Sequence, residues 1–293
     1  YNEKHLSLMT VLGYSIFKIL PTLQGIFTLT VVYNSHKNSV DEIYSKLQNF
    51  KTTNKNLPDK KLFFNKKDKI NNIKLLNIDF SFNSKKIFQD LNLEILQGEK
   101  IGLIGPTGSG KSTLTNILLG ILKPQNGKVY INDKNIDSEA LLEEMKNFVA
   151  IIPQTASILE DTILNNIILG DYYDKESFNK ILDISLVSNF VDSQNLSINE
   201  KIHGSGQNLS GGQLQRILIA RALYKKPKIL IIDEGFNQLD NKTENKILES
   251  ILEIKDLTII VIYHNFLKKD MLDKIYTIKD LKLLKIKWLK KIL

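Results

Sequence analysis

The segment that most restricts the fold is the glycine-rich stretch GPTGSGKST at residues 105–113. It follows KIGLI, a short apolar run typical of a buried strand, and it leads into KSTLTNILLGIL, which has helical spacing. Glycines in this pattern allow the backbone to curl around an anion, and the helix start adds the positive end of its dipole. In this strand–loop–helix context, G-x-x-x-x-G-K-[ST] is typical of a phosphate-binding loop. The sequence therefore predicts a nucleoside triphosphate site in an α/β domain.

Two side chains of this loop have specific predicted roles. Lys111 is expected to reach the β- and γ-phosphates, and the Ser112 hydroxyl is expected to hold Mg²⁺. The other candidate contacts of the loop are Gly105, Pro106, Thr107, Gly108, Ser109, Gly110 and Thr113. The loop alone leaves kinase, GTPase and ATPase chemistry open.

The stretch KILIIDEG at residues 228–235 adds two carboxylates to the predicted site. Four apolar residues form a buried strand that ends at Asp233, where a carboxylate can help to hold Mg²⁺. Glu234 follows directly, and a second carboxylate there can orient the attacking water or accept its proton. The alternative is an acidic helix cap after a strand. Next to a phosphate-binding loop, we expect the chemical role.

A second glycine-containing helix start occurs in LSGGQ at residues 209–213. Two adjacent glycines disfavour a helix, yet LQRILIARAL continues with clean helical spacing. A serine hydroxyl, free N–H groups and the helix dipole together form a second cradle for an anion. Because the phosphate-binding loop already surrounds one face of the nucleotide, this cradle suits a nucleotide held by another copy of the chain.

LSGGQLQRILIARAL resembles the signature segment of ATP-binding cassette (ABC) proteins, and the other cassette motifs follow in the family's order over about residues 73–280. The resemblance implies ATP and Mg²⁺ as cofactors. It also implies a role for four further residues: Phe82 in IDFSF stacks on adenine, Gln154 in AIIPQ lies near Mg²⁺, Asp240 in NQLD belongs to the D-loop, and His264 in IIVIYH contacts the γ-phosphate.

The resemblance further implies two cassettes packed head to tail, and we expect a homodimer. Each ATP then lies between the phosphate-binding loop of one copy and the signature segment of the other. The residues that would complete the site across this interface are Ser210, Gly211, Gly212 and Gln213. Closure with ATP and opening after hydrolysis would be a ligand-driven population shift.

The predicted secondary structure gives the fold class. Apolar and polar residues alternate, as in strands, in IKLLNIDFSF and KIFQDLNLEIL. Four further segments are predicted as short apolar strands with helices between several of them: KVYINDKNI, NFVAIIPQ, KILIID and LTIIVIYH. Alternating strands and helices indicate an α/β domain around a largely parallel sheet. With the resemblance, the prediction is a P-loop NTPase cassette of the ABC type, with a mostly parallel core sheet, an antiparallel β subdomain and a helical subdomain at about residues 155–225.

The N-terminal residues 6–33 contain no Asp or Glu and are largely apolar, although Lys18, Pro21 and Gln24 interrupt the run. A helix that crosses a bilayer needs about 20 apolar residues. The stretch therefore fits either an amphipathic helix on the globular part or the cytoplasmic half of a spanning helix that continues as a stalk. We expect the second structure, in a chain that lacks most of its transmembrane domain.

This expectation sets the predicted domains. Residues 1–50 form the end of a transmembrane domain, in which SVDEIYSKLQNF at 39–50 is a short helix with an acidic first turn. Residues 51–72 form a linker rich in lysine and asparagine, and residues 73–293 form the cassette.

Several segments resemble the exporter class of cassettes. Gln154 and Leu209 are too close in sequence for the long coiled coil of chromosome-associated cassettes. The segment at residues 153–170, PQTASILEDTILNNIILG, resembles the exporter segment that follows the Q-loop glutamine, here Gln154. The N-terminal helix resembles those of bacterial flippases for lipids and lipid-linked oligosaccharides. The implied function is ATP hydrolysis that drives export or flipping, at the cell (inner) membrane, with the ATPase domain on the cytoplasmic side. The alternatives are the ATP-binding subunit of an importer and a dimeric clamp that does not hydrolyse ATP.

Four features depart from the family pattern. Phe82 stands where many members have tyrosine, Gly204 takes the place of a glutamate before the signature, and Phe236 and Asn237 replace smaller or hydroxyl residues. The C-terminal DKIYTIKDLKLLKIKWLKKIL lacks the family's glycine turn between two strands, so its lysine–leucine pattern predicts an amphipathic helix.

The composition of the chain restricts which ligands and partners are expected. The net charge is +8, but the lysines are scattered among asparagine and isoleucine throughout the chain, so we expect no nucleic-acid partner. The absence of cysteine excludes disulfides and thiolate metal sites.

Overall fold

The computed structural model describes residues 2–55, 63–64, 68–155, 157–204, 206–263 and 271–286. The chain divides into two compact units, Tyr1–Lys61 and Leu62–Leu293.

The first unit is built on a single helix, α1 (Asn2–Lys55), which continues through Pro21. Ser7–Leu47 is the one stretch of the described chain that is long and apolar enough to cross a bilayer. The helix is continuous where the sequence predicted a separate short helix at 39–50, and it takes in residues 51–55 of the predicted linker. The sequence contains no glycine or proline between residues 26 and 55, so nothing in the local chain favours a break there.

The second unit alternates strands and helices. Its strands are β1 (Asn72–Phe82), β2 (Lys85–Leu96), β3 (Lys100–Ile104), β4 (Asn126–Ile131), β5 (Lys134–Ile136), β6 (Val149–Ile152), β7 (Ile229–Asp233), β8 (Thr258–Tyr263), β9 (Lys274–Lys279) and β10 (Lys282–Ile286). Its helices are α2 (Lys111–Leu118), α3 (Ser138–Phe148), α4 (Ile163–Ile168), α5 (Lys175–Ile184), α6 (Val187–Ser193), α7 (Gly211–Tyr224) and α8 (Asn241–Leu252).

One sheet is antiparallel and has the order β2–β1–β4–β5. Ile73 of β1 lies opposite Ile95 of β2 and Ile131 of β4, and all three side chains are buried because alternate residues of each strand face the core. KVYINDKNI, predicted as one strand, is a hairpin. Asn132 and Asp133 both adopt positive φ, as a two-residue turn requires, and asparagine and aspartate tolerate this conformation.

The other sheet has the order β10–β9–β3–β8–β7–β6, and every neighbouring pair is parallel except β9 with β10. Ile229–Ile232 of β7 are buried, as expected for a central strand covered on both faces. Because the strands are parallel, the ends of β3, β7 and β8 meet at one edge of the sheet. This edge carries the predicted phosphate-binding loop and the predicted carboxylates.

Helices α4 to α7 form a layer beside the parallel sheet. The buried side chains of α7, among them Ile217 and Ile219, share one hydrophobic cluster with Phe178 of α5 and Phe190 of α6. The signature helix is therefore the central element of this layer.

The predicted C-terminal amphipathic helix is wrong for residues 274–286. These residues form the antiparallel hairpin β9–β10, with Lys279 opposite Lys282. Asp280 and Leu281 turn the chain with φ of 50° and 63°, so a two-residue turn forms without glycine. The hairpin is held in place because the Gln89 N–H donates to the Leu281 carbonyl. Residues 287–293 of the predicted helix lie outside the described residues.

Candidate nucleotide site

The phosphate-binding loop follows β3 directly and ends at the first residue of α2. Gly110, the residue before α2, has φ of 103°. A Cβ there would lie 3.0 Å from Ile87 Cγ2 and 3.1 Å from the Phe88 ring, so both the backbone conformation and the packing require glycine. The end of the loop is thus packed against β2. A Cβ at Gly108, by contrast, would have no atom within 4 Å, so this part of the loop borders open space.

Lys111 is buried in the loop. Its Nζ donates to the Gly105 carbonyl at 2.7 Å and to the Pro106 carbonyl at 2.9 Å. Burial lowers the pKa of Lys111, and the nearby Glu234 and Asp233 oppose that shift. The ammonium group is therefore stabilised by two loop carbonyls and by the negative charges of Glu234 and Asp233.

Asp233 is the last residue of β7, opposite Ile262 of β8. Burial raises the pKa of Asp233, the neighbouring Glu234 raises it further, and Lys111 lowers it. Glu234 has a left-handed backbone with φ of 49°, and its N–H donates to the Ile262 carbonyl. Strained backbone of this kind is common at functional sites, where the surrounding structure holds it.

Two amides contact Glu234. Gln154 Nε2 donates to Glu234 Oε2 at 2.8 Å, and Asn237 Nδ2 donates to the same oxygen at 3.3 Å. Gln154 follows β6, so its position beside Glu234 comes from the parallel pairing of β6 with β7. Asn237 was noted in the sequence only as an atypical residue, and the structure gives it a direct contact with the predicted catalytic carboxylate.

The phosphate-binding loop, Gln154, Asp233 and Glu234 line one cavity of about 420 Å³. Its walls are Phe82, Ile87, Thr107, Gly108, Gly110, Lys111, Ser112, Thr113, Gln154, Asp233 and Glu234. Phe82 is 48% exposed and meets Phe80 edge to face, with ring centroids 4.9 Å apart, so one of its faces is available for stacking. Ile87 was missed by the sequence analysis because it lies on a different strand from the motifs.

The cavity suits a nucleotide. Ser109 Oγ is buried without a hydrogen-bond partner, which a phosphate oxygen would satisfy. For Mg²⁺, Ser112, Gln154 and Asp233 supply a hydroxyl, an amide oxygen and a single carboxylate. That set fits a cation that normally keeps waters and takes further ligands from substrate phosphates. Within the described residues, His, Cys, Asp and Glu form no cluster of three that could hold a metal by themselves.

The signature residues lie at the start of α7 and are not among the residues that line this cavity. Ser210 caps the helix: its Oγ accepts from Gln213 N at 3.3 Å, while Gln213 Oε1 accepts from Ser210 N at 2.7 Å. A Cβ at Gly211 would meet the side chain of Gln238, and one at Gly212 would lie 3.1 Å from the Gln238 carbonyl oxygen. The glycine pair therefore lets residues 237–240 pack against the helix start.

Asp240 caps the next helix, α8. Its Oδ1 accepts from Lys242 N at 3.1 Å and from Thr243 N at 3.0 Å. The pKa of the carboxyl group is lowered by a hydrogen bond with the Thr243 side chain and, to a smaller extent, by these backbone hydrogen bonds. The side chain is used locally, so any nucleotide contact of this segment would come from its neighbours or its backbone. His264, the remaining predicted site residue, lies outside the described residues.

A sequence profile of the ABC transporter family matches residues 88–237. This span is about half of the chain and includes the phosphate-binding loop, the signature segment and both carboxylates. The chain belongs to the ABC transporter family.

Relatives of this ABC protein are much longer than the chain itself. A Rickettsia typhi protein that carries the name export ATP-binding/permease protein is 40% identical over 193 residues, which is 64% of this chain and 33% of the relative. The lactococcin-G-processing and transport ATP-binding protein of Lactococcus lactis subsp. lactis is 34% identical over 272 residues, which is 89% of this chain and 37% of the relative. The chain therefore spans about a third of the length of these relatives.

A solved structure supports the fold. A bacterial Atm1-family ABC exporter with ATP bound superposes with a TM-score of 0.65 and 27% identity, covering 73% of this chain and 38% of that one. The predicted fold class is confirmed: an ABC cassette with mixed α/β sheets and a long N-terminal helix.

Proposed function

We propose that this ABC cassette binds ATP with Mg²⁺ and hydrolyses it to drive export across a membrane. The observation that carries the proposal is the cavity in which the phosphate-binding loop faces Asp233 and Glu234, with Gln154 donating to Glu234. A site that only bound nucleotide would need the loop, but it would not need a second carboxylate held beside it by two amides.

Lys111 is the first phosphate contact. Its ammonium protons are directed at the carbonyls of Gly105 and Pro106, and they can turn to β- and γ-phosphate oxygens in charge-assisted hydrogen bonds. The Ser109 hydroxyl and the first N–H groups of α2 add neutral donors. Phe82 stacks on the adenine ring through its exposed face, a contact worth about 1–3 kcal/mol.

Glu234 orients the attacking water by accepting a hydrogen bond from it, and Gln154 and Asn237 hold the carboxylate in position. The water oxygen attacks the γ-phosphorus and gives a proton to the Glu234 carboxylate, while the bond from that phosphorus to the bridging oxygen breaks with its electron pair remaining on ADP, so that ADP and phosphate are the products. Mg²⁺, held by Ser112, Gln154 and Asp233, would neutralise charge on the phosphate oxygens. From the resemblance to ABC proteins, we expect His264 to supply a further γ-phosphate contact.

A second cassette completes the site. Ser210 uses an oxygen lone pair to cap α7, but its hydroxyl proton remains available to a phosphate of the other copy. Gly211, Gly212 and the start of α7 add backbone donors and the helix dipole. We propose a homodimer in which each ATP lies between the phosphate-binding loop of one copy and Ser210–Gln213 of the other.

Export is supported by the long helix and by the names of the relatives. Ser7–Leu47 has the length and composition to cross a bilayer. The Rickettsia relative is named for export, and the structural neighbour is an exporter. These names do not favour the importer alternative. We further propose that the protein is membrane-bound with the cassette on the cytoplasmic side, and that the cargo is a lipid or a lipid-linked glycan, as the N-terminal sequence indicates.

The test is the Glu234→Gln variant of the full chain in detergent. The amide keeps the shape and the hydrogen bonding of the side chain but binds water less strongly than a carboxylate. We expect ATP hydrolysis to fall at least about 100-fold, as for loss of a general base. We also expect ATP to hold the variant as a dimer in light scattering. Wild-type chain that dimerises with ATP without releasing phosphate would instead support the clamp alternative.

A further inference from the structure

The basal cavity, with a volume of about 340 Å³, lies at the opposite end of the parallel strands from the nucleotide site. It is formed by the turns that enter β3, β7 and β8, by one side of α5 and by the last turn of α7. Its lining consists of Gln97, Ser177, Lys180, Ile181, Ile184, Leu223, Lys226, Pro227, Lys228, Ile254, Lys255, Asp256 and Leu257. No residue of this lining belongs to the nucleotide cavity, so the two cavities are separate.

The floor of the basal cavity is apolar and belongs to the hydrophobic core. Ile181, Leu223 and Leu257 are buried members of the cluster that also contains the buried side of α7. Ile184 and Ile254 are half-buried and pack against the same cluster. An apolar group that entered the cavity would contact side chains that the core already holds in place, so little entropy would be lost in ordering them.

The rim of the basal cavity is basic. Four lysines line it, of which the third is half-buried and the others are exposed: Lys180, Lys226, Lys228 and Lys255. Asp256 is the only acidic residue of the lining. Lys226 Nζ pairs with Asp174 Oδ2 at 3.5 Å, but the other three ammonium groups form no ion pair within the described residues. The rim therefore has a net positive charge next to an apolar floor, and it attracts anions.

Hydrogen bonds hold the two turns that carry most of this rim. In the turn that enters β7, Lys226 N donates to the Leu223 carbonyl at 2.9 Å. In the turn that enters β8, Lys100 Nζ donates to the carbonyls of Ile254 and Leu257. The cavity is therefore formed before any ligand binds, which lowers the entropy cost of binding.

We propose that the basal cavity binds a small amphiphilic anion, an organic acid with a carboxylate, sulfonate or phosphate group on an apolar body. The volume lies near the lower end of the range for small-molecule sites, which combine mostly apolar walls with a few polar groups. The ammonium groups bind the acidic group through charge-assisted hydrogen bonds, and the apolar body covers the floor. Because charge and apolar surface share one concave site, a small acid fits better than a membrane surface, which would lie across the opening.

A bound acid connects two parts of the cassette. It contacts α5 of the helical layer and also the turns that enter β7 and β8, so it ties this layer to the parallel sheet. The lining comes together only in the folded chain, so binding raises stability by mass action. The site is independent of the proposed ATP hydrolysis, because it shares no residue with the nucleotide cavity.

The first test uses naphthalene-2-carboxylate and the full chain in a nonionic detergent, with equilibrium dialysis against detergent alone to subtract binding to micelles. We expect saturable binding. Naphthalene-2-methanol has the same apolar body without the charge and should bind at least about tenfold more weakly. Acetate has the charge without the apolar body and should also bind at least about tenfold more weakly. At about ten times its Kd, the carboxylate should raise Tm by about 4 °C.

The second test reverses charges on the rim. We expect Lys180→Glu combined with Lys255→Glu to weaken binding of the carboxylate at least about tenfold, because two attractive charges become repulsive. Both side chains are exposed, so the fold should be retained. The matched control combines Lys175→Glu with Lys242→Glu, which changes the net charge equally at exposed positions of α5 and α8 outside the lining. Its Kd should stay within about twofold of wild type.

Three results would overturn the proposal: no saturable binding of the carboxylate to wild type, equal affinity for the carboxylate and the alcohol, or equal affinity of the rim and control variants. If the rim variant does not fold, the comparison of the three probes on wild type still decides whether the site requires both charge and an apolar body.

Discussion

Gln154 and Glu234, 80 positions apart in the sequence, are joined by a hydrogen bond of 2.8 Å from Gln154 Nε2 to Glu234 Oε2. The bond connects the second residue after β6 to the first residue after β7, so it depends on the parallel register of those strands. It restrains the carboxylate that we propose to orient water.

Removing this amide should slow hydrolysis. We expect Gln154→Ala to lower kcat about 10- to 100-fold, the range typical for a supporting contact in a metal-assisted site, and to raise the Mg²⁺ concentration needed for activity. Asn237→Ala should have a smaller effect, because its hydrogen bond to Glu234 is longer at 3.3 Å. Phosphate release measured over a Mg²⁺ titration separates the two variants. Equal activity of Gln154→Ala and wild type would contradict the proposed role.

Lys111, which is buried, and Lys100, which is half-buried, lie at opposite ends of the β3–loop segment and form a pair for comparison. Lys100 Nζ donates to the Leu257 and Ile254 carbonyls, much as Lys111 donates to two loop carbonyls. We expect Lys111→Ala to weaken ATP binding about 10- to 100-fold, since a charged hydrogen bond is lost. Lys100→Ala should reduce thermal stability without changing ATP affinity. Fluorescence anisotropy with a labelled ATP analogue measures both, and loss of affinity in Lys100→Ala alone would count against the assigned pocket.

Asp233 should make the fold less stable as the pH rises. Its folded pKa is raised by burial, so the folded chain holds the carboxyl proton more strongly than the unfolded chain does. Stability is then lost as pH increases from the ordinary carboxyl pKa of about 4 through the raised value. We expect Asp233→Asn to melt at a higher temperature than wild type at pH 7, with the difference vanishing near pH 4.

Asp240 is a control, because its pKa shift and therefore its effect on the pH dependence of stability have the opposite sign to those of Asp233. Its folded pKa is lowered by the hydrogen bonds of the helix cap, so its contribution is present above the ordinary pKa and is lost as the pH falls through the lowered value. Asp240→Asn should therefore melt below wild type at pH 7. Thermal unfolding of both variants in the absence of nucleotide tests the pair, and a shift of the same sign at pH 7 would refute the assignment.

Ser210 caps a helix and, in the proposed dimer, also contacts the nucleotide of the other copy. Comparison with Thr162, which only caps a helix, separates these two functions. Ser210 Oγ caps α7 as Thr162 Oγ1 caps α4, where it accepts from Asn165 N at 3.0 Å. Ser210→Ala and Thr162→Ala should each cost about 1 kcal/mol of stability. ATP-dependent dimerisation in the Glu234→Gln background should weaken only in Ser210→Ala, because only that hydroxyl faces a second copy in the proposed dimer. If dimerisation weakened equally in both variants, the effect of Ser210→Ala would be explained by the lost helix cap alone.

The sequence predicts the site better than its surroundings, for a physical reason. Glycines, Lys111 and Asp233 lie within short strand–loop–helix segments, so their placement follows from local structure. Ile87 enters the site only through strand pairing and packing, which one sequence does not encode in a local pattern. Asn237 reaches Glu234 through a local turn, in which its N–H donates to the Glu234 carbonyl, but its residue type is not one that the motif predicts.

The C-terminal hairpin shows the same limit. Its turn places Leu281 at φ of 63°, a conformation that leucine adopts at a cost, and it persists because β10 pairs with β9 along its length. A helix was predicted because no glycine marked the turn. Tertiary pairing outweighed that local preference.

This turn gives a direct test of stored backbone strain. A left-handed conformation costs a side chain such as leucine about 1–2 kcal/mol, whereas glycine pays about 0.5–1 kcal/mol in chain entropy. We therefore expect Leu281→Gly, which creates an Asp-Gly turn, to raise the free energy of unfolding by about 0.5 kcal/mol. Leu283→Gly, in the strand that follows, should lower it, because glycine removes a packed side chain from a regular strand. Chemical denaturation of the two variants beside wild type distinguishes them, and a loss of stability in Leu281→Gly would show that the leucine packing is worth more than the strain.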